Sequence, residues 1–121
     1  MGNETPCRIF VVDDHPAVRE GLALLLGQRG IMICGDAEDG AQTMARLESA
    51  RPDVVLVDLS LQRESGLALI EQLHSRGVTV LVYSMHEDAV HVKRAFAAGA
   101  SGYVTKREGA DILVKAIGEV I

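Results

Sequence analysis

The chain has 121 residues, 48% hydrophobic and 24% charged, enough for one domain with a proper core and too apolar for a disordered chain. Twelve Lys and Arg against seventeen Asp and Glu leave a net charge of −5, and the aromatics are two Tyr and two Phe with no Trp. That balance argues against direct nucleic acid binding by this segment, which needs clustered basic charge or a base-stacking platform.

Residues 1–6 are short and polar and read as a lead-in to a domain spanning 7–121. Cys7-Arg-Ile-Phe-Val-Val12 is rich in β-branched residues and stops at two acids, which predicts a buried strand. Pro16 can open the following helix, where Val18, Leu22, Leu25 and Leu26 form a core-facing stripe. Gly27 and Gly30 end it. Met32–Ala37 predicts a weaker second strand, and Gly40–Arg51 a helix with Ala41, Met44 and Leu47 on one face, stopped by Pro52. Val54-Val-Leu-Val-Asp58 is the clearest strand. A third helix over Ser65–Ser75 turns Leu67, Ile70 and Leu73 (or Leu69) inward, followed by a fourth strand at Thr79–Ser84. Asp88–Ala98 carries Ala89, Val92 and Phe96 at helical spacing, with Gly99 as its cap. Gly102–Thr105 is a short fifth strand, and Ala110–Ile121 a final helix presenting Ile112, Leu113, Ala116, Ile117 and Val120.

Five apolar strands alternating with five helices predict a parallel sheet covered on both faces. At this length the expected fold class is α/β, a flavodoxin-like doubly wound sheet of order 2-1-3-4-5. No apolar run is long enough to cross a bilayer, and no secretory leader is visible. Cys7 and Cys34 are then expected as reduced, buried small hydrophobes in a cytoplasmic protein.

Polar residues punctuate the carboxyl ends of these strands: Asp13 and Asp14, Asp58, Ser84 and Lys106. In an open α/β sheet ligands bind there, where strand order reverses and the first and third strands are neighbours. Three carboxylates converging in one cleft repel unless a cation holds them, and hard oxygen ligands suit Mg²⁺. Lys106 and Ser84 on the opposite side suit the oxygens of a phosphoryl group, for which a carboxylate is a competent acceptor. The competing readings are plain: Asp58 ending a strand, Ser84 as a strand-end hydroxyl, Tyr103 as edge packing. His15 and His86 flank the cleft and read as solvated loop histidines. His74 and His91 read as surface residues of helices, and Lys93-Arg94 as a solvated helix face.

Five pieces in order carry a family resemblance: Val11-Val-Asp-Asp14; Val57-Asp-Leu-Ser60; Gly66 eight residues beyond Asp58; Tyr83-Ser-Met-His86; and Ala98-Gly-Ala-Ser-Gly-Tyr-Val-Thr-Lys106. Over nearly its whole length the chain resembles the receiver domain of bacterial two-component response regulators, and the last two pieces look most like the NarL/FixJ-type subfamily with LuxR-type helix-turn-helix outputs. The resemblance implies that Asp58 accepts a phosphoryl group from a sensor histidine kinase. It implies Mg²⁺ held by Asp14 directly, by Asp13 largely through water, by Asp58 and by the backbone carbonyl of Ser60. Lys106 would contact the phosphoryl oxygens, Ser84 would move toward them, and Tyr103 would act as the switch aromatic. The surface that changes would be the fourth helix, fifth strand and fifth helix, offering Lys93 and Arg94 to a partner.

Two positions depart from the family. Gln62, followed by Arg63 and Glu64, stands where many receivers have Pro. Arg107 stands where many have a Pro in a cis bond, which leaves the Lys106–Arg107 peptide open between trans and cis. A Mg²⁺-dependent phosphohydrolase of haloacid-dehalogenase type is disfavoured, because Ser60 replaces its second Asp. An FMN carrier is disfavoured because Asp13-Asp-His-Pro16 would repel phosphate. A stand-alone receiver or a pseudo-receiver that only binds protein remains the alternative. The expectation is a receiver from the N-terminal part of a longer transcription regulator, turning over no free metabolite, with at most a weak or phosphorylation-dependent homodimer.

Overall fold

The computed structural model describes residues 7–61 and 65–121. Strand and helix alternate along the chain: β1 (Arg8–Val12), α1 (Pro16–Gly27), β2 (Met32–Ala37), α2 (Gly40–Ala50), β3 (Val54–Val57), α3 (Gly66–Ser75), β4 (Val80–Ser84), α4 (Ala89–Ala98), β5 (Gly102–Thr105) and α5 (Ala110–Val120). The five strands form one parallel sheet in the order β2-β1-β3-β4-β5, the doubly wound arrangement expected from the alternation.

Successive side chains of a strand point to opposite faces, and the core divides accordingly. Phe10, Val12, Val55, Val57, Val80 and Val82 pack with Leu47 of α2, Leu69, Ile70 and Leu73 of α3 and Ala95 of α4. Ile9, Val11, Val54, Leu56, Leu81 and Val104 pack with Leu22 and Leu26 of α1 and Leu113 and Ile117 of α5. The central strands β1, β3 and β4 therefore need apolar residues at nearly every position, whereas the edge strand β2 is mostly half-buried or exposed. The β1–β2 register shifts between Ile9 and Phe10, so that Phe10 faces Gly35. A Cβ at Gly35 would lie 2.8 Å from the Phe10 ring.

Helix ends follow the sequence. Pro16 opens α1, and Asp39, Ser65 and Asp88 cap α2, α3 and α4 by accepting from the amides of Gln42, Leu67 and His91. Gly99 ends α4 in the left-handed region at φ 119.

Several side-chain expectations change. Phe96 does not face the core: it is 46% exposed, Ala89 is also exposed, and Ala95 is the buried residue of α4. The small Ala95 lets α4 sit close on the sheet, while Phe96 is turned outward on the next position. Ala41 of α2 and Ile112 of α5 are likewise exposed, and buried Thr43 takes the inward place in α2. Leu67 is only partly buried beside fully buried Leu69. Cys7 and Cys34 are free thiols but half-buried rather than buried, and burial pushes both thiols above their ordinary range. The Lys106–Arg107 peptide is trans. The lead-in over 1–6 and the Gln62–Glu64 departure lie outside the described residues. Among the described residues no helix is long and apolar enough to cross a membrane.

Candidate functional site

Parallel pairing puts the carboxyl ends of the strands on one edge. Val12 stands beside Val57, Val57 beside Val82, and Ser84 beside Thr105. The residues at or just after the strand ends therefore emerge at a common level. Asp13, Asp58, Ser84 and Lys106 meet there although they are far apart in sequence.

The backbone locks this edge. The amide of Asp13 donates to the Ala37 carbonyl at 3.1 Å, that of Asp58 to Val12 at 3.0 Å, and that of Lys106 to Ser84 at 2.7 Å. Asp13 and Asp58 are 2% and 4% exposed, burial that an unpaired carboxylate does not sustain. Lys106 supplies the counter-charge: its Nζ lies 3.0 Å from Asp13 Oδ2 and 3.2 Å from Asp58 Oδ2. Burial alone would raise the Asp13 pKa, but hydrogen bonds from the His15 amide, Lys106 and the His15 ring hold it below the usual carboxylate range. Burial pushes the Lys106 ammonium the other way, and Asp13 and Asp58 outweigh it, so Lys106 stays charged above its ordinary range.

Asp14 lies beside this pair, with Oδ1 2.8 Å from Nδ1 of His15. The oxygens of Asp13, Asp14 and Asp58, with a His15 nitrogen, lie within 4.8 Å of one another. Three carboxylates in that space are the donor set of a hard divalent cation, and the residues fit such an ion. The amide of Ser60 donates to Asp58 Oδ1 at 3.0 Å, turning the chain sharply after the aspartate. Gly66 closes that turn from α3. A Cβ there would stand 2.7 Å from the Leu59 Cα and 2.8 Å from the Asp58 carbonyl oxygen, both backbone atoms.

Ser84 is fully buried, and its Oγ accepts from the His86 amide at 3.1 Å. The Tyr103 hydroxyl donates to the His86 carbonyl at 2.7 Å, so His86 ties Ser84 to Tyr103. Burial raises the Tyr103 phenol above its ordinary range, which keeps it a hydrogen-bond donor.

Two features were not visible in the sequence. Arg19, one turn into α1, donates to the Asp13 carbonyl at 2.6 Å and pairs with Asp36. His86 is not simply solvated: its Nε2 lies 3.1 Å from Ser60 Oγ, and its ring stacks on that of His91. Five residues apart across a loop-to-helix junction, the two histidines share no helical face that a pattern could reveal.

The response regulator receiver domain family matches residues 9–118. The chain is 35% identical over 118 residues to the transcriptional regulatory protein DegU of Brevibacillus brevis, covering 95% of this chain and 50% of that protein. It is 32% identical over 120 residues to the nitrate/nitrite response regulator protein NarL of Escherichia coli strain K12, covering 97% and 56%. It superposes with a TM-score of 0.89 and 35% identity on a LuxR-family two-component response regulator from Aurantimonas sp. SI85-9A1, covering 95% of this chain and 84% of that one. The chain thus spans about half the length of the curated relatives it matches. Together with the acid, hydroxyl and lysine groups gathered at the strand ends, these matches show that the chain belongs to the response regulator receiver domain family.

Proposed function

We propose that this receiver domain is a switch thrown by phosphorylation of Asp58. The supporting observation is the buried Asp13–Lys106–Asp58 arrangement: a carboxylate acceptor with a fixed ammonium 3.2 Å from one oxygen. Asp58 attacks the phosphorus of a kinase phosphohistidine. The new P–O bond replaces the P–N bond, and the histidine nitrogen leaves with a proton. Lys106 is positioned to hold a phosphoryl oxygen, and Ser84 to offer its hydroxyl once it turns from the His86 amide. Asp13, Asp14, Asp58 and the Ser60 carbonyl would hold Mg²⁺, which when bound neutralises charge on the carboxylates and the phosphoryl group. The added dianion then biases the link from Ser84 through His86 to Tyr103, and with it the α4–β5–α5 face carrying Lys93 and Arg94.

The partners we infer are a sensor histidine kinase and a DNA-binding output that follows this receiver in a longer regulator. The latter rests on the relatives, DegU named as a transcriptional regulatory protein and NarL as a response regulator protein, both about twice as long. We place the protein in the cytoplasm, catalysing its own phosphoryl uptake and slow hydrolysis without turnover of a metabolite. Association into a homodimer is expected to be weak or to depend on phosphorylation.

Intact mass after incubation with Mg²⁺ and acetyl phosphate tests the central claim. One added phosphoryl group is expected in the wild type, none with EDTA, and none in Asp58→Asn. An adduct retained by Asp58→Asn would overturn the assignment.

A further inference from the structure

A second cluster of metal-ligating side chains stands outside the acidic cleft. We propose that His86, Asp88 and His91 form a site for a divalent ion of borderline softness, Zn²⁺ above all, at the junction of the β4–α4 loop with α4. One ring nitrogen of each histidine and an Asp88 oxygen lie within 4.8 Å of one another. The two rings stack at 3.9 Å with an interplanar angle of 2°; parallel rings aim their in-plane lone pairs side by side, so one imidazole turns about its side-chain torsions to share an ion with the other. They also line an open groove with Leu59, Ser65, Leu67 and Arg94, which leaves room for the waters that complete the coordination. Two imidazoles and one carboxylate with an open position suit Zn²⁺, whereas Mg²⁺ favours the all-carboxylate cleft.

Hydrogen bonds already bring Asp88 and His91 together. A carboxylate only accepts, so Nδ1–H of His91 donates to Asp88, 2.7 Å from Oδ1 and 2.8 Å from Oδ2. The incoming ion takes the place of that proton: a neutral ring carries its proton on Nε2 instead, and a protonated ring releases one to solvent. Asp88 Oδ2 also accepts the His91 amide at 3.2 Å as the cap of α4, leaving Oδ1 for the metal. Arg94 opposes the ion from the groove wall, but in an open groove that repulsion is screened.

The site has a consequence that rests on the receiver reading above. His86 holds the Ser84 hydroxyl through its amide and the Tyr103 hydroxyl through its carbonyl. An ion on its ring fixes that residue, so ion and phosphoryl group change each other's affinity by the same factor.

Isothermal titration with Zn²⁺ in millimolar Mg²⁺ tests the site on the wild type, His91→Ala, His91→Gln and Asp58→Asn. One equivalent is expected to bind the wild type and Asp58→Asn alike, and roughly tenfold or more weakly to both His91 variants. Circular dichroism checks that these variants fold, and Asp88 is left intact to keep the helix cap. No binding by the wild type, equal binding by folded His91 variants, or loss only in Asp58→Asn would overturn the site. Repeating the titration on beryllofluoride-loaded protein, with loading read independently by fluorine NMR, tests the coupling. A changed Zn²⁺ affinity supports it, and an unchanged affinity on loaded protein overturns it. Failure to load would instead count against the acceptor assignment and leave the metal result standing.

Discussion

The acidic cleft and the α4 flank sit side by side and are built in opposite ways. The cleft grows from the ends of β1 and β3, whose residues are almost wholly buried, and Asp13, Asp58 and Lys106 are fixed there by backbone hydrogen bonds. The α4 flank buries Ala95 alone and leaves Val90 55% and Phe96 46% exposed. Chemistry that needs placement within fractions of an ångström is seated on the rigid region. The surface proposed to change is drawn from a region with few buried contacts, where rearrangement costs little.

That contrast can be broken by mutation. Ile70→Ala, on the wholly buried face of α3, is expected to destabilise the domain by about 2–5 kcal/mol, and Phe96→Ala by less than roughly 0.5 kcal/mol. Equal shifts in urea midpoints would erase the distinction. Gly66→Ala forces a Cβ onto the backbone of Asp58 and Leu59, at a cost of about 1–3 kcal/mol. It should also slow phosphoryl uptake from acetyl phosphate, since the proposed acceptor Asp58 is displaced; normal uptake would show that the turn yields freely. Asp88→Ala removes the α4 cap, worth about 1 kcal/mol in thermal unfolding, with phosphoryl uptake retained.

The remaining test is one of sign. Asp13 is held below its ordinary pKa of 3.8, so the unfolded chain binds that proton more readily. Its contribution is full above pH 3.8 and is lost as pH falls through the lower folded value. Lys106, raised above 10.5, contributes fully below that pH and loses its share as pH rises through the folded value. Metal-free Asp13→Asn should therefore show a flatter acid limb in stability against pH, and an unchanged limb would contradict the pairing.

The elements and their order were legible because the central strands are apolar throughout and stop at charged residues. The cleft was legible for the same reason: Asp13, Asp58 and Lys106 follow directly on strands whose ends are level. Periodicity failed on α4, where Ala89, Val90, Val92, Ala95, Phe96, Ala97 and Ala98 surround the helix with apolar choices. Contact with the sheet selected the smallest fit, Ala95, over the larger Phe96. The His86–His91 stack was hidden because it depends on how a loop enters a helix, which no repeat encodes.

Lys106 meets Asp13 across 93 residues and Asp58 across 48. Only the paired run β1-β3-β4-β5 brings the first, third and fifth strands to one edge. A nascent, nicked or half-unfolded copy holds the same acids and the same lysine, but scattered. On the acceptor reading proposed above, phosphoryl uptake then requires the folded sheet, because an incompletely folded chain holds no assembled cleft.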